Sequence, residues 1–288
     1  MDAQKMIGYF KKIYLTLLFF GDKYPDIATP AIASLRLLLI NAIGEDKEKM
    51  FIEHWNKEKE SIELYNTGIN FINKKYYKKA LKAFDEALRI NENDAESWYH
   101  KGLALGFLKR YNESIKSSEK AIELNPEYSG AWINKGVALE SLGHLKEALK
   151  SYETAIEIEQ NYYLAWYNKA VILKKLGQYG KSIEVFDKAI KLNPKYAPAY
   201  YVKGVALSSK GEIGKAFKVT NKAVKLAPKD SEAWYDLACL YALKNDKQQA
   251  FKLLIKSIKM DSKWKKYAKK DEDFLRYWGD KKFLNIVH

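Results

Sequence analysis

SGAWINKGVALESLGHLKEALKSYETAIEIEQNY, residues 129–162, runs directly into YLAWYNKAVILKKLGQYGKSIEVFDKAIKLNPKY, residues 163–196. Laid over each other, the two segments align Trp132 with Trp166, Gly136 with Ala170, Ala148 with Ser182 and Ala155 with Ala189. The match continues in both directions. Trp98, Tyr200 and Trp234 keep the aromatic column, while Gly102, Gly204 and Ala238 keep the small one. Ser114, Ala216 and Ala250 extend a third column, and Ala121, Ala223 and Ser257 a fourth. One further period toward the N-terminus gives Leu64, Gly68, Ala80, Phe84 and Ala87. Six units of 34 residues therefore follow one another without insertion or deletion: 61–94, 95–128, 129–162, 163–196, 197–230 and 231–264.

Within each unit the apolar residues recur at helical spacing in two stretches. In the third, Trp132, Gly136 and Leu139 share one face, and Ala148, Leu149, Tyr152, Ala155 and Ile156 another. Gly143, Gly177, Gly211 and Asn245 stand between the stretches, where a left-handed residue ends the first helix. Lys75 and Lys109 hold that place in the first two units, which predicts less ideal turns there. One helix pair cannot cover its own apolar faces, so neighbours must stack.

The aromatic start, the small residue four later, the paired alanines and the closing Pro126, Pro194 and Pro228 resemble the tetratricopeptide repeat family. Glu92, Gln160 and Ser262 depart from the proline column. The resemblance implies an all-α fold: a right-handed α-solenoid of six helix-turn-helix repeats, with an N-terminal helical extension and a C-terminal capping helix. The expected division is 1–60, 61–264 and 265–288. The tail carries the cap through Asp271-Glu272-Asp273-Phe274 and Asp280 to Leu284, with Phe274, Leu275, Trp278 and Phe283 closing the last pair.

Residues 1–60 do not keep the period. Asp2 and Gly21 bound one expected helix, Pro30 and Gly44 a second. The second is apolar almost all round and must be covered by protein. Residues 1–44 are expected either to cap the first repeats or to pair two copies of the chain. Neither apolar run, Ile13 to Phe20 or Ala31 to Ile43, reaches the roughly 18–20 residues a membrane span needs. A third, polar helix is expected from about Asp46 into the first repeat.

The composition fits a folded chain, with 47% hydrophobic and 30% charged residues among 288. Cys239 is the sole cysteine, which excludes an internal disulfide and suggests a reducing, cytoplasmic location. His54, His100, His144 and His288 have no metal-ligand spacing, and no zinc-protease, phosphate-loop or dinucleotide motif is present. No catalytic residue, metal or cofactor is expected, and Cys239 reads as a small hydrophobe in an aliphatic column.

Charge is uneven. Residues 1–162 sum to −1 and residues 163–288 to +15. Lys101, Lys135, Lys169 and Lys203 form another 34-residue ladder, and Trp264 and Tyr267 lie among lysines. A nucleic-acid-associated role through this basic half is one reading.

The other follows from the resemblance, which places a peptide or helix of a partner protein in a groove lined by the first helices. Two columns would face it: Tyr65, Tyr99, Ile133, Tyr167, Tyr201 and Tyr235, and Ile69, Leu103, Val137, Val171, Val205 and Cys239. Relatives that clamp a terminal carboxylate place asparagine in the second column, and none stands there here. The sequence therefore points to a non-catalytic protein-binding scaffold whose groove takes an apolar or acidic segment.

Overall fold

The computed structural model describes Ser34 and residues 44–288, and among them every regular element is helical. The two helices expected before Gly44 lie outside the described residues, as does the pairing of copies through residues 1–44. Gly44 itself has a φ of 87° and directly precedes α1 (Glu45–Asn73), a 29-residue helix that runs from the polar segment into the first repeat unbroken.

The described residues fall into two compact units, one ending at Ser97 and the other Trp98–His288. In the first, α1 packs against α2 (Tyr77–Ile90). The Ser61 hydroxyl donates to the Ala87 carbonyl at 3.1 Å, and Phe84 is fully buried against Gly68.

The second unit begins within α3 (Ala95–Phe107), followed by α4 (Tyr111–Leu124). Three more pairs follow: α5 (Ser129–Ser141) and α6 (Leu145–Ile158), α7 (Tyr163–Lys175) and α8 (Tyr179–Leu192), α9 (Ala197–Ser209) and α10 (Ile213–Leu226). The last pair is α11 (Ser231–Leu243) and α12 (Lys247–Met260). From α4 to α12 each helix packs on the next, and α5, α7, α9 and α11 also touch in series. This is the stacking that the columns require: first helices share one layer and second helices the other.

The sequence columns have separate physical duties. The alanines at 121, 155, 189 and 223 are wholly buried, so helices approach closely there. In repeats three to six the aromatic column fixes the unit to the loop before it. Trp132, Trp166 and Trp234 each donate Nε1–H to the carbonyl six residues back, at 3.0, 2.8 and 2.9 Å, and Tyr200 does so with its hydroxyl at 3.0 Å. Ser114 and Ser182 each donate to the carbonyl twelve residues earlier at 2.8 Å, tying second helix to first.

Gly143, Gly177 and Gly211 have φ of 84°, 73° and 86°, and Asn245, Lys75 and Lys109 have φ near 60°. The two lysines thus take the left-handed geometry against the steric preference of a residue with a Cβ.

Beyond α12, a short α13 (Lys263–Ala268), a 3₁₀ turn (Glu272–Tyr277) and α14 (Lys281–Val287) close the stack. Phe274, Tyr277, Phe283 and Val287 are buried. Leu275 and Trp278, expected to share that duty, stay 57% and 38% exposed. The reason is the 3₁₀ period of three residues per turn, which puts 274 and 277 on one face.

Candidate binding surface

A second small-and-large correspondence runs through the repeats, always sixteen residues apart. Gly68 faces Phe84 and Gly136 faces Tyr152; a Cβ on either glycine would lie 2.5 Å from the ring. Ala170 and Phe186, both fully buried, hold the equivalent places in the fourth repeat, and Ala238 with Leu254, the latter large though not aromatic, those in the sixth. The second and fifth repeats break the pattern, with Ser118 and Thr220 where the ring should be. Ser118 is compensated by buried Asn134, whose Nδ2 donates to its hydroxyl at 2.8 Å. Thr220 is not compensated: it is fully buried, and its Oγ1 has no hydrogen-bond partner among the described residues. Openings lie beside both irregular repeats.

The first is a cleft of about 380 Å³ whose walls include Tyr99, Leu103, Phe107, Ile133 and Val137. Asn134 and Asn168 add polar edges. Phe107 and Val137 are 52% and 41% exposed, large values for apolar side chains lining a recess. Tyr99 packs its ring over Gly130 and beside Tyr128, at 4.9 Å between centroids, and burial raises its phenol pKa.

The second is a cavity of about 370 Å³ reached by Val205, Thr220, Asp236, Cys239, Asp271 and Asp273. Asp271 is a hydrogen-bond hub here. Its carboxylate accepts from the Tyr235 hydroxyl at 2.7 Å, the Cys239 thiol at 3.7 Å and the Asp273 backbone N–H at 3.0 Å. Cys239 Sγ and one oxygen each of Asp271 and Asp273 lie within 4.8 Å of one another, a spacing that could hold a metal ion. Burial, followed by the neighbouring carboxylates, pushes the Cys239 thiol well up, so it stands as a proton donor rather than a thiolate. Desolvation also raises Asp236, then Glu232 nearby, with Lys174 opposing. Lys174 is in turn lowered, first by its own burial.

Of the twelve groove residues, Tyr65 and Ile69 are half-buried on α1 in the first unit. Tyr99, Leu103, Ile133 and Val137 come together in the cleft, and Val205 and Cys239 in the cavity. Tyr167 and Val171 pack against the C-terminal core, with the Tyr167 ring perpendicular to Tyr196 at 5.1 Å. Tyr201 and Tyr235 belong to that core. Tyr235 stacks on Trp264 at 4.3 Å, so this tyrosine anchors the cap. Sequence reasoning read Asp271 and Asp273 only as part of the cap and missed Asp236 and Thr220.

The lysine ladder is engaged elsewhere. Lys135, Lys169 and Lys203 pair with Glu119, Glu153 and Asp187, each sixteen residues earlier on the preceding second helix. Trp264 is 6% exposed and donates to Ser231 at 2.9 Å, leaving Tyr267 as the open ring of the pair expected to stack bases. Among the described residues no helix is long and apolar enough to cross a membrane.

Among curated proteins no match to the chain is found. Solved structures share the fold. YrrB, described as a TPR protein with an unusual peptide-binding site, is 21% identical with a TM-score of 0.51, over 68% of this chain and 97% of its own. TTC0263, a thermophilic TPR protein of Thermus thermophilus, is 21% identical with a TM-score of 0.56, over 64% and 100%. The pilF protein of Pseudomonas aeruginosa is 12% identical with a TM-score of 0.65, over 78% and 100%. Tetratricopeptide repeat models match residues 95–128, 129–162, 163–196, 185–218 and 213–282. With the helix pairs, the aromatic-to-carbonyl bonds and these matches in agreement, the chain belongs to the tetratricopeptide repeat family.

Proposed function

We propose that the protein is a non-catalytic scaffold that binds a peptide or helix of a partner protein, and that the cleft across the first helices of repeats two to four is the centre of that contact. The observation that carries this is the partly exposed apolar lining: Phe107 and Val137 stand open to solvent above Tyr99, Leu103 and Ile133. Apolar recesses with a few polar groups at their edges are the usual shape of a ligand site, and helix-in-groove recognition uses such surfaces. The family membership supports the same class of function.

Val137→Asp tests it. The side chain is 41% exposed, so a carboxylate there keeps its hydration and should change the melting temperature little. Partner-peptide affinity should fall by about tenfold or more, since a charge would then sit unpaired at the apolar contact. Unchanged affinity in a folded variant would remove the cleft from the binding surface.

A further inference from the structure

We infer that the cavity at repeats five and six is a subsite for a cationic side chain, lysine or arginine, of the segment lying in the groove. The inference rests on the groove reading and adds the chemistry of the ligand. It begins with the missing ring. In repeat three the Tyr152 ring lies over Gly136 and its hydroxyl donates to Glu140 at 3.1 Å. The equivalent positions in repeat five are Gly204 and Ser208, and both line the cavity. Thr220 thus leaves open the space that an aromatic side chain fills two repeats earlier.

What faces that space is negative. Asp236, Asp271 and Asp273 all reach it, with Glu232 one helical turn before Asp236 on α11. The opposing charge is Lys174, which is not on the cavity wall. Asp271 has its hydrogen bonds from Tyr235, Cys239 and the Asp273 amide, whereas the Asp236 carboxylate has no hydrogen bond or close salt bridge among the described residues and feels Lys174 only as an opposing charge. A second, independent feature is the wholly buried Thr220 hydroxyl on the same wall, also without a partner among them. A Cβ on Gly204 would lie 2.2 Å from that oxygen, so the hydroxyl packs directly on the Gly204 backbone and fills only the base of the slot that the ring fills in repeat three.

An unpaired carboxylate and an unpaired hydroxyl call for a donor. A lysine or arginine brings several, and a stem that needs apolar walls, which Val205, Leu240 and Leu243 provide. A bare metal ion suits the site less well. The thiol is protonated and already donating, and the volume is several times the roughly 30 Å³ share of a water molecule. The raised Asp236 pKa agrees in sign: a bound cation stabilises the ionised carboxylate, so affinity should rise as pH rises through that pKa, with Glu232 and Asp273 shifted the same way.

The test is selection of displayed random twelve-residue peptides on the full 288-residue chain, followed by fluorescence anisotropy with the best peptide. Enriched sequences should carry a basic residue at fixed distance from an apolar stretch. Replacing that residue by norleucine should weaken binding about tenfold or more, Asp236→Asn should do the same, and the two together should cost little beyond either alone. Thr220→Phe, which refills the slot, should abolish the basic preference and keep apolar binding. Apolar or acidic peptides bound equally by wild type and Asp236→Asn would overturn the subsite and leave the groove reading standing. Failure to enrich any peptide would overturn both. Zinc or magnesium chloride alone binding in an Asp236-dependent manner would reassign the cavity to a metal.

Discussion

Thr220 gives the most direct test of the packing argument. Its hydroxyl is fully buried and unpaired, a condition that costs about 1–3 kcal/mol. Thr220→Val removes that hydroxyl at constant shape and should recover most of the amount. Thr220→Phe goes further, because the slot above Gly204 corresponds to those occupied by Phe84 above Gly68 and Tyr152 above Gly136. Burying a phenyl group contributes about 1.5–3 kcal/mol. Fixing its rotamer and displacing neighbours takes back roughly 1–3 kcal/mol. With the hydroxyl removed as well, the net expectation is a gain of about 1–3 kcal/mol.

The assay is thermal melting by circular dichroism at neutral pH with urea titration alongside. For a chain of this length 1 kcal/mol corresponds to roughly 2–4 °C, so Thr220→Phe should raise Tm by about 2–12 °C and Thr220→Val by about 2–8 °C. Stacked repeats need not unfold in one step, so both probes should move together. A Thr220→Val variant less stable than wild type would mean that the hydroxyl is satisfied after all. A Thr220→Phe variant destabilised while Thr220→Val is stabilised would mean that the cavity does not correspond to the ring slot, and the columnar reasoning would be refuted.

The remaining predictions concern charge and backbone. Asp236 has a folded-state pKa above its unfolded value, so its stabilising effect is complete below the unfolded pKa and is lost as pH rises through the folded one. The melting temperatures of wild type and Asp236→Asn should therefore converge at about pH 3, with the variant increasingly the more stable as pH climbs; a variant less stable at neutral pH would show that Asp236 has a pairing partner. Lys109 sits at φ 60°, and Lys109→Gly should raise stability by about 0.5–1 kcal/mol in urea unfolding. A loss there would show that the Lys109 side chain holds the turn.

Most of the fold is legible because the repeat is written in columns. Helix boundaries, the left-handed turns at Gly143, Gly177 and Gly211, and even the awkward Lys75 and Lys109 turns follow from one period. The binding surface is less legible, because a column treats its members as equals. Tyr99 lines a cleft while Tyr235 lies beneath the cap, though both hold the same position. What separates them is their neighbours. The column that decides where space opens, Phe84, Ser118, Tyr152, Phe186, Thr220 and Leu254, is present in the sequence, and its two small members mark the two irregular repeats. Asp271 and Asp273 lie beyond the last repeat, so no period brings them to Asp236; only the fold of the cap does.

The same limit explains why the basic half points the wrong way for the cavity. A net +15 over residues 163–288 counts lysines without regard to their partners or the face they occupy. Lys169 and Lys203 are neutralised by Glu153 and Asp187 between helices, while Glu212 takes both Lys210 and Lys215. The cavity, meanwhile, gathers carboxylates. A basic peptide approaching this protein is thus repelled at long range by the whole molecule and attracted at short range by the subsite. Salt acts on the two unequally. At about 0.15 M the screening length is roughly 8 Å, which removes the distant repulsion and leaves the desolvated contact largely intact. Affinity for a lysine-bearing peptide should therefore change little, by less than about threefold, between roughly 50 and 200 mM salt, whereas phosphate contacts would lose orders of magnitude over the same range. An anisotropy titration at three salt concentrations separates the cases, and a steep fall would place the peptide on exposed surface charge rather than in the cavity.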